Sequence, residues 1–358
     1  MGWLHLIHFL DIPSVRVRAV VDSQYSNKPS CRPPVSFVDL INSLLDMGVE
    51  CVRSVSELSN VLYSSTNGQK PKLTSLLCVV AGRTEDNPRT FRECLHLGAT
   101  HIYLEPPGAP SAIQLRDMAT LASVRNVQVY MGYQKLCSAY VQQAVEFSRS
   151  VPKSHVFFCH NEGYTSNQLS QVISRQSEGI MLSMASQELA ILVTQYKITV
   201  GEVDKFKVNT NRLFSEKVSF VNDNGKSITD LIRVAFKITT KRGKTVSVMA
   251  DRCGGVVSFA VVKSPQGEEL RRFQSMTEGQ MIECERRLRK EKTMHPNFVV
   301  EKDEYVELKQ RVVEDIQCNN SSIEKRDMSL LTILDGVDIM MLGEFCSLEI
   351  DNVLRLDE

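Results

Sequence analysis

The sequence predicts an α/β protein: an N-terminal doubly wound (Rossmann-type) parallel sheet lacking its first strand, followed by an α+β portion with an open antiparallel sheet. Three observations predict it. Short apolar strands alternate with helical patterns of about ten to fifteen residues in the first part of the chain, the spacing of parallel βαβ units. From Glu202 onward this alternation gives way to long period-two runs punctuated by turn signals, as in an antiparallel sheet with one wet face. The 358 residues exceed what one core usually supports, so two domains are expected, at 1–150 and 151–358.

Residues 15–22 (Val-Arg-Val-Arg-Ala-Val-Val-Asp) read as a strand ending in an acid. Phe37, Leu40, Ile41, Leu44 and Leu45 give helical spacing over 37–47, followed by a short strand at 49–52, a helix at 55–63 and a polar loop at 64–72. The continuous apolar run 76–81 reads as a strand covered on both faces. A helix at 90–97 is stopped by Gly98, a strand follows at 100–105, and Ser111 caps a helix reaching 124. A strand at 127–132 and a helix at 138–149 complete the first part. Beyond it come a strand at 156–160 and a helix at 184–196. Strands at 231–240 and 245–251 flank the hairpin signal Lys241-Arg242-Gly243-Lys244. A third strand at 256–262, introduced by Gly254-Gly255, continues this as an antiparallel meander. The mixed-sign run 283–292 reads as a solvated helix or loop. Helices at 305–315 and 328–342 close the chain, the last expected to pack back on the first domain.

Composition narrows the functional classes. Lysine plus arginine (42) equals aspartate plus glutamate (42), which leaves no electrostatic footprint for nucleic acid or an anionic membrane. The ten cysteines form no Cys-x-x-Cys pair and sit mostly among apolar neighbours, as in Leu76-Leu77-Cys78-Val79-Val80; buried reduced thiols in a cytoplasmic protein are the simplest reading. No apolar run suits a membrane span, and Met1-Gly2-Trp3-Leu4-His5 has neither a basic region nor a cleavage-like site. Leu6 stands where a myristoylation signal wants Ser or Thr. The seven histidines lack ligand spacing, so no metal site is expected.

Three segments are more specific. Gly98-Ala99-Thr100-His101-Ile102-Tyr103-Leu104-Glu105-Pro106-Pro107 forms a strand and a Glu-x-Pro turn, Val129-Tyr130-Met131-Gly132-Tyr133-Gln134 a strand ending in Gly-Tyr-Gln, and 181–192 a helix of the second part. In this order and spacing, across nearly the whole chain, they resemble the Gfo/Idh/MocA oxidoreductases, the family of glucose–fructose oxidoreductase and inositol dehydrogenase. The resemblance implies a nicotinamide cofactor, NAD or NADP, and a sugar- or polyol-like small-molecule substrate. It implies cofactor contacts at Gly2, Asp22, Ala81, Gly82, Glu105 and Gln134.

The family opens with a strand and a G-x-G-x-x-G-x-x-H turn, whose glycines let the backbone approach a pyrophosphate. Only Gly2-Trp3-Leu4-His5 corresponds here. The absent strand would be the central one, leaving strands 15–21 and 76–81 to face each other across open rows of backbone groups. A start assigned too far downstream and a loss of tight cofactor binding both explain this. Asp22 matches the acid that accepts hydrogen bonds from a ribose 2′-hydroxyl, which favours NAD; its other reading is a strand-end aspartate capping a turn. Arg83 could offset Asp22 by attracting a 2′-phosphate, although the family places this loop nearer the nicotinamide ribose.

Hydride transfer at a carbinol carbon needs a group that gives or takes the hydroxyl proton. The resemblance implies a lysine in the Glu-x-Pro turn and an aspartate and a histidine at i, i+4 on a helix. Here those positions are Pro106, Ser183 and Gln187, none of which exchanges a proton near pH 7. They are expected to line one cavity, with Ser183 and Gln187 on a shared helix face. Three substitutes are weak. Lys135 could reach the pocket but reads better as an exposed surface lysine, and His160 reads better as a strand-end histidine bonded to a backbone carbonyl. Tyr164 could donate a proton but has no lysine near it in sequence. Glu188 points about 100° away from Gln187 on a helix, and Asn209 and Arg212 are pocket residues or merely a loop.

Two functions fit. One is an NAD(P)-dependent oxidoreductase of a sugar, polyol or related hydroxyl compound with its acid–base residues replaced. The other is a catalytically inactive relative serving as a nucleotide- or sugar-binding or scaffold protein. A homo-oligomer through the C-terminal sheet suits the strands at 231–262; no nucleic acid or membrane partner is expected.

Overall fold

The computed structural model describes residues 2–22, 35–64, 75–175, 178–221, 225, 227–290, 299–318 and 330–356. The expected loop at 64–72 falls outside them except for its first residue, as do 291–292 of the charge run and the helix start expected at 328.

The chain opens with helix α1 (Gly2–Leu10), strand β1 (Ala19–Val21), α2 (Val35–Asp46), β2 (Glu50–Val52) and α3 (Val55–Ser64). β1 and β2 pair in parallel as a two-stranded sheet of their own. Next come β3 (Leu77–Val80), α4 (Asn87–Leu97), β4 (His101–Leu104), α5 (Ala112–Val124) and β5 (Gln128–Met131). These strands form a second parallel unit in the order β3–β4–β5, extended beyond β5 by the antiparallel β13 (Leu331–Thr332). The parallel architecture is therefore split. Among the described residues no strand joins β1 to β3. Helix α1 spans the break: Leu6 and Leu10 pack with Val20, Ile41 and Leu44, while Phe9 and Ile12 pack with Leu77.

The split accounts for two departures from expectation. Of residues 15–22 only 19–21 join a ladder, because β2 offers an edge no longer than that. The run 76–81 is not covered on both faces. Val79 is 39% exposed, since β3 lies at the sheet's open edge. Local signals held where they rest on short-range chemistry. Gly98 ends α4 in the left-handed region (φ 93°), which a Cβ disfavours, and Ser111 Oγ accepts the Gln114 N–H at 3.3 Å.

After β5, a 3₁₀ turn (Gln134–Cys137) leads into α6 (Ala139–Ser150), β6 (His155–Asn161) and α7 (Ser166–Arg175). The helix expected at 184–196 is preceded by a separate short helix. α8 (Gly179–Ser183) stops, and α9 (Ser186–Tyr196) starts anew. Strands β7 (Val203–Val208), β8 (Glu216–Val221), β9 (Ser227–Thr240), β10 (Thr245–Asp251), β11 (Phe259–Lys263) and β12 (Glu269–Gln274) complete a seven-stranded sheet. Its order, β12–β11–β6–β10–β9–β7 with β8 on the far part of β9, corrects the expected simple meander. β6 inserts between β10 and β11 and runs parallel to β10. An apolar strand with Val156 and Phe158 fully buried is best satisfied in the middle of a sheet, with neighbours on both edges. The β9–β10 hairpin closes as expected, with Gly243 at φ 78°.

Among the described residues, helices α10 (Glu278–Lys290), α11 (Lys302–Cys318) and α12 (Ile333–Leu356) follow the sheet. α12 packs between α5 of the first sheet layer and α9 of the second. One continuous core therefore runs from Ile102 and Leu104 through Ile339 and Leu342 to Leu189, Val234 and Phe236. α11 covers the opposite face of the parallel sheet, packing Leu308 and Val312 on Tyr103 and Tyr130.

Candidate functional site

The carboxyl ends of parallel strands are where α/β folds hold ligands, and five of the implied cofactor positions follow such strands in the chain. Asp22 follows β1, with its N–H donating to Val52 O at 3.0 Å. Ala81 and Gly82 follow β3, Glu105 follows β4, Gln134 follows β5, and Gly2 begins α1. A Cβ on Gly2 would meet nothing within 4 Å. Beside Gly82, the buried Asn87 Oδ1 has no hydrogen-bond partner and lies 3.5 Å from where a Cβ would stand.

Two chains of side chains converge at these strand ends. In the first, Glu105 turns back over Gly132, where a Cβ would fall 2.7 Å from both Glu105 Oε2 and Tyr103 Oη; only glycine permits this approach. Glu105 Oε2 lies 3.0 Å from His5 Nε2. Burial lowers the pKa of His5, so the contact joins a neutral imidazole to a carboxylate. Lys309 of α11 closes the group, with Nζ donating to Tyr305 O at 3.2 Å, 3.3 Å from His8 Nδ1, and over the Tyr103 and Tyr305 rings. Burial pulls Lys309 down to about 8 despite the opposing pull of Glu105. The unfolded chain therefore binds more protons between pH 8 and 10.5, so stability should rise with pH across that window. Below it, the buried charge costs about 3 kcal/mol. Lys309→Met is expected to raise the denaturation midpoint at pH 7 and to flatten that rise; a lower midpoint contradicts the assignment.

The second chain surrounds Lys135. Expected on the surface, this lysine is 1% exposed, because the 3₁₀ turn after β5 folds it inward. Its Nζ lies 3.6 Å from Glu188 Oε1 and 3.4 Å from Glu301 Oε1. Burial works against its charge. Tyr140, Glu301, Glu188 and Glu304 outweigh burial and hold its pKa well above the ordinary value. Burial also raises the pKa of the Tyr140 phenol above its ordinary value, so at neutral pH the carboxylates do this.

Glu188, set aside on helical geometry, is the centre of the array. Residue 187 points towards the strand ends and 188 towards β6, and both directions are occupied. His160, inward-facing at the end of β6, meets Glu188 Oε2 through Nδ1 at 2.9 Å rather than a backbone carbonyl. Burial opposes ionisation of Glu188, but His160 and Lys135 prevail and its pKa falls below the ordinary value. An ionised carboxylate only accepts, so Nδ1 carries a proton in this contact.

Ser183 and Gln187 do not share a face, because the break between α8 and α9 separates them. Gln187 donates to Gln134 Oε1 at 2.9 Å and accepts the Lys135 N–H at 3.3 Å, so it braces the lysine turn. Ser183 instead accepts from Arg252 at 3.1 Å, in a group where Arg252 also binds Asp230 at 2.7 Å. Pro106 lies half-buried in the turn after Glu105. Tyr164 is held by its N–H on Arg252 O at 3.0 Å, and burial pushes its phenol up. Asn209 and Arg212 are exposed. Among the described residues, no group of three or more His, Cys, Asp or Glu side chains is placed to hold a metal. The described cysteines are free thiols, and no described helix is long and apolar enough to cross a membrane.

No family model matches the chain, and no curated protein matches it in sequence. Solved structures do match it. A probable dehydrogenase from Thermotoga maritima is similar with a TM-score of 0.64 at 13% identity, over 100% of this chain and 94% of that one. Scyllo-inositol dehydrogenase from Lactobacillus casei, with bound NAD(H) and scyllo-inositol, gives 0.61 at 13% identity, over 97% and 94%. Myo-inositol 2-dehydrogenase from Lactobacillus plantarum gives 0.62 at 10% identity, over 97% and 93%. The chain has the fold of these dehydrogenases, a Rossmann-like sheet followed by an α+β sheet.

Proposed function

We propose that the chain belongs to the Gfo/Idh/MocA oxidoreductases and oxidises or reduces a sugar, polyol or related hydroxyl compound with a nicotinamide cofactor, its proton exchange moved to Lys135, Glu188 and His160. The observation that carries this is the fully buried Glu188, with one oxygen towards the Lys135 ammonium and the other on the His160 imidazole. Glu188 fixes the His160 tautomer, so Nε2 takes the hydroxyl proton as the carbinol carbon is oxidised. Lys135, held charged, stabilises the developing alkoxide and does not act as the base. When bound, the cofactor supplies the hydride acceptor. Gly2, Gly82 and Asn87 give it open backbone and an unsatisfied acceptor, and Asp22 would select NAD through the ribose hydroxyls. On this reading, residues 1–150 hold the dinucleotide and 151–358 the substrate, in a cytoplasmic protein.

Titration with NADH and NADPH, read by nicotinamide fluorescence, tests the cofactor part. NADH is expected to bind roughly tenfold tighter, the worth of one charge-assisted hydrogen bond. No response to either nucleotide contradicts the reading. The inactive alternative is favoured by one observation: Pro106, Ser183 and Gln187 offer no side chain that exchanges a proton near neutral pH. Nucleotide binding without turnover on a polyol panel would select it.

The outer face of the seven-stranded sheet carries half-buried Phe157, Met249 and Phe259. This apolar strip would pair two copies of the chain. A dimer is expected in light scattering at micromolar concentration, and a monomer contradicts the pairing.

A further inference from the structure

Four residues from three elements close a ring beyond the carboxyl end of β5. The Lys135 backbone N–H donates to Gln187 Oε1 at 3.3 Å, and Gln187 Nε2 donates to Gln134 Oε1 at 2.9 Å. Gln134 Nε2 donates to Glu301 Oε2 at 3.3 Å, and Glu301 Oε1 returns to Lys135 Nζ at 3.4 Å. The ring shuts in the array proposed for catalysis. Gln134, Lys135 and Glu188 are buried, and His160, joined to Lys135 through Glu188, is 4% exposed. No sugar-sized molecule reaches these groups while the ring is closed. The ring also occupies the Lys135 ammonium, which faces two carboxylates that an alkoxide would have to displace.

One link of the ring is able to part. Gln187 is fixed in α9 among buried neighbours, and Gln134 and Lys135 belong to the buried 3₁₀ turn. Glu301 instead precedes α11, its side chain 15% exposed, beside the exposed Lys302 and Asp303. The body of α11 is anchored separately. Leu308 and Val312 pack on Tyr103 and Tyr130, and Asp315 accepts from Tyr130 Oη at 2.6 Å and from Gln128 Nε2 at 3.0 Å. Residues 301–304 are held to the Lys135 turn by polar contacts, the two of Glu301 and one from Glu304 to the Ser138 hydroxyl. Both Glu301 contacts are long for their kind, and polar contacts exchange for water at little net cost.

We infer that Glu301 is an autoinhibitory latch, which holds the start of α11 over Lys135 and must release before cofactor and substrate reach the array; this rests on the oxidoreductase reading above. Released, Glu301 turns to water with Lys302 and Asp303, and Lys135 keeps Glu188 as its counter-ion. The array then opens at the carboxyl end of β5, where α/β folds bind ligands. Apparent cofactor affinity falls with the fraction of molecules that are latched.

The test uses the full chain with NADH as the probe. Glu301→Ala removes both contacts and should bind NADH about tenfold tighter than the wild type by nicotinamide fluorescence. Glu301→Asp is too short to span Gln134 and Lys135 and should fall between the two. A residue that served only as a counter-ion of Lys135 would not tighten the cofactor when removed, so unchanged or weaker binding in Glu301→Ala overturns the latch alone. Amine labelling with acetic anhydride, read by mass spectrometry, gives a second readout. Lys135 should label about tenfold faster in Glu301→Ala. Lys309, buried under the anchored body of the same helix, should label as in the wild type. Equal acceleration at both lysines overturns the latch, because the whole helix would have come loose. Should Glu301→Ala misfold, the wild type decides: its rate of fluorescence change should level off with rising NADH at the rate of release, and a rate that climbs linearly overturns the latch. A wild type that binds no NADH overturns the oxidoreductase reading and the latch with it.

Discussion

Glu188→Gln is expected to lower stability by about 3–5 kcal/mol and turnover by about 10²–10⁴-fold. The carboxamide is nearly isosteric, so the loss is electrostatic. It leaves Lys135 buried with Glu301 as its nearest carboxylate, and turns an amide N–H towards either the lysine ammonium or the Nδ1 proton of His160. His160 loses the group that fixes its tautomer. The pH dependence adds a second signature. Because the pKa of Glu188 is depressed, its contribution is complete above about 4.5 and is lost as pH falls through the lower folded value. The variant should lack that part of the acid limb. Urea denaturation at pH 7 and pH 4 measures both effects, and a loss below about 1 kcal/mol would mean that the array is not tightly coupled.

Arg252→Met is expected to cost a similar amount, about 3–5 kcal/mol, for a different reason. Arg252 is 0% exposed and donates to Asp230 Oδ2 at 2.7 Å, Leu231 O at 3.1 Å and Ser183 Oγ at 3.1 Å. Asp230 also accepts the Ile180 and Leu231 N–H groups. The guanidinium thereby ties the end of α8 to β9 and β10. Methionine fills the volume but leaves the Asp230 carboxylate without its cation. Arg233→Met is the control. Its ion pairs, 3.5 Å to Glu216 and 3.7 Å to Asp251, are partly solvated and should be worth about 1 kcal/mol or less. Equal losses in the two variants would contradict the distinction between buried and exposed pairs.

What the sequence revealed, and what it hid, follow from the range of the interactions. Ser111, Gly98 and Gly243 were legible because caps and turns are settled within a few residues. The parallel order β3–β4–β5 was legible because strands alternating with helices at that spacing leave few other connections. The insertion of β6 between β10 and β11 was not, since pairing across such distances leaves no local mark. The burial of Lys135 was hidden for the same reason: its turn reads as polar surface, and its counterions come from α9 and the start of α11. One signal was present. Glu188 stands in a helix otherwise lined by Leu189, Ala190, Ile191 and Leu192, and an acid among such neighbours must find a buried cation. His160, ending an apolar strand, carried the same hint.

Single-turnover hydride transfer from a panel of sugars and polyols to the nicotinamide, in the wild type and in His160→Asn, tests the assignment of the acid–base centre most directly. Asparagine keeps a donor towards Glu188 but offers no basic nitrogen. The expected result is measurable transfer in the wild type and a fall of about 10²-fold or more in His160→Asn at unchanged NADH affinity. Transfer at the same rate in both proteins, or none from any substrate in the wild type, would contradict it.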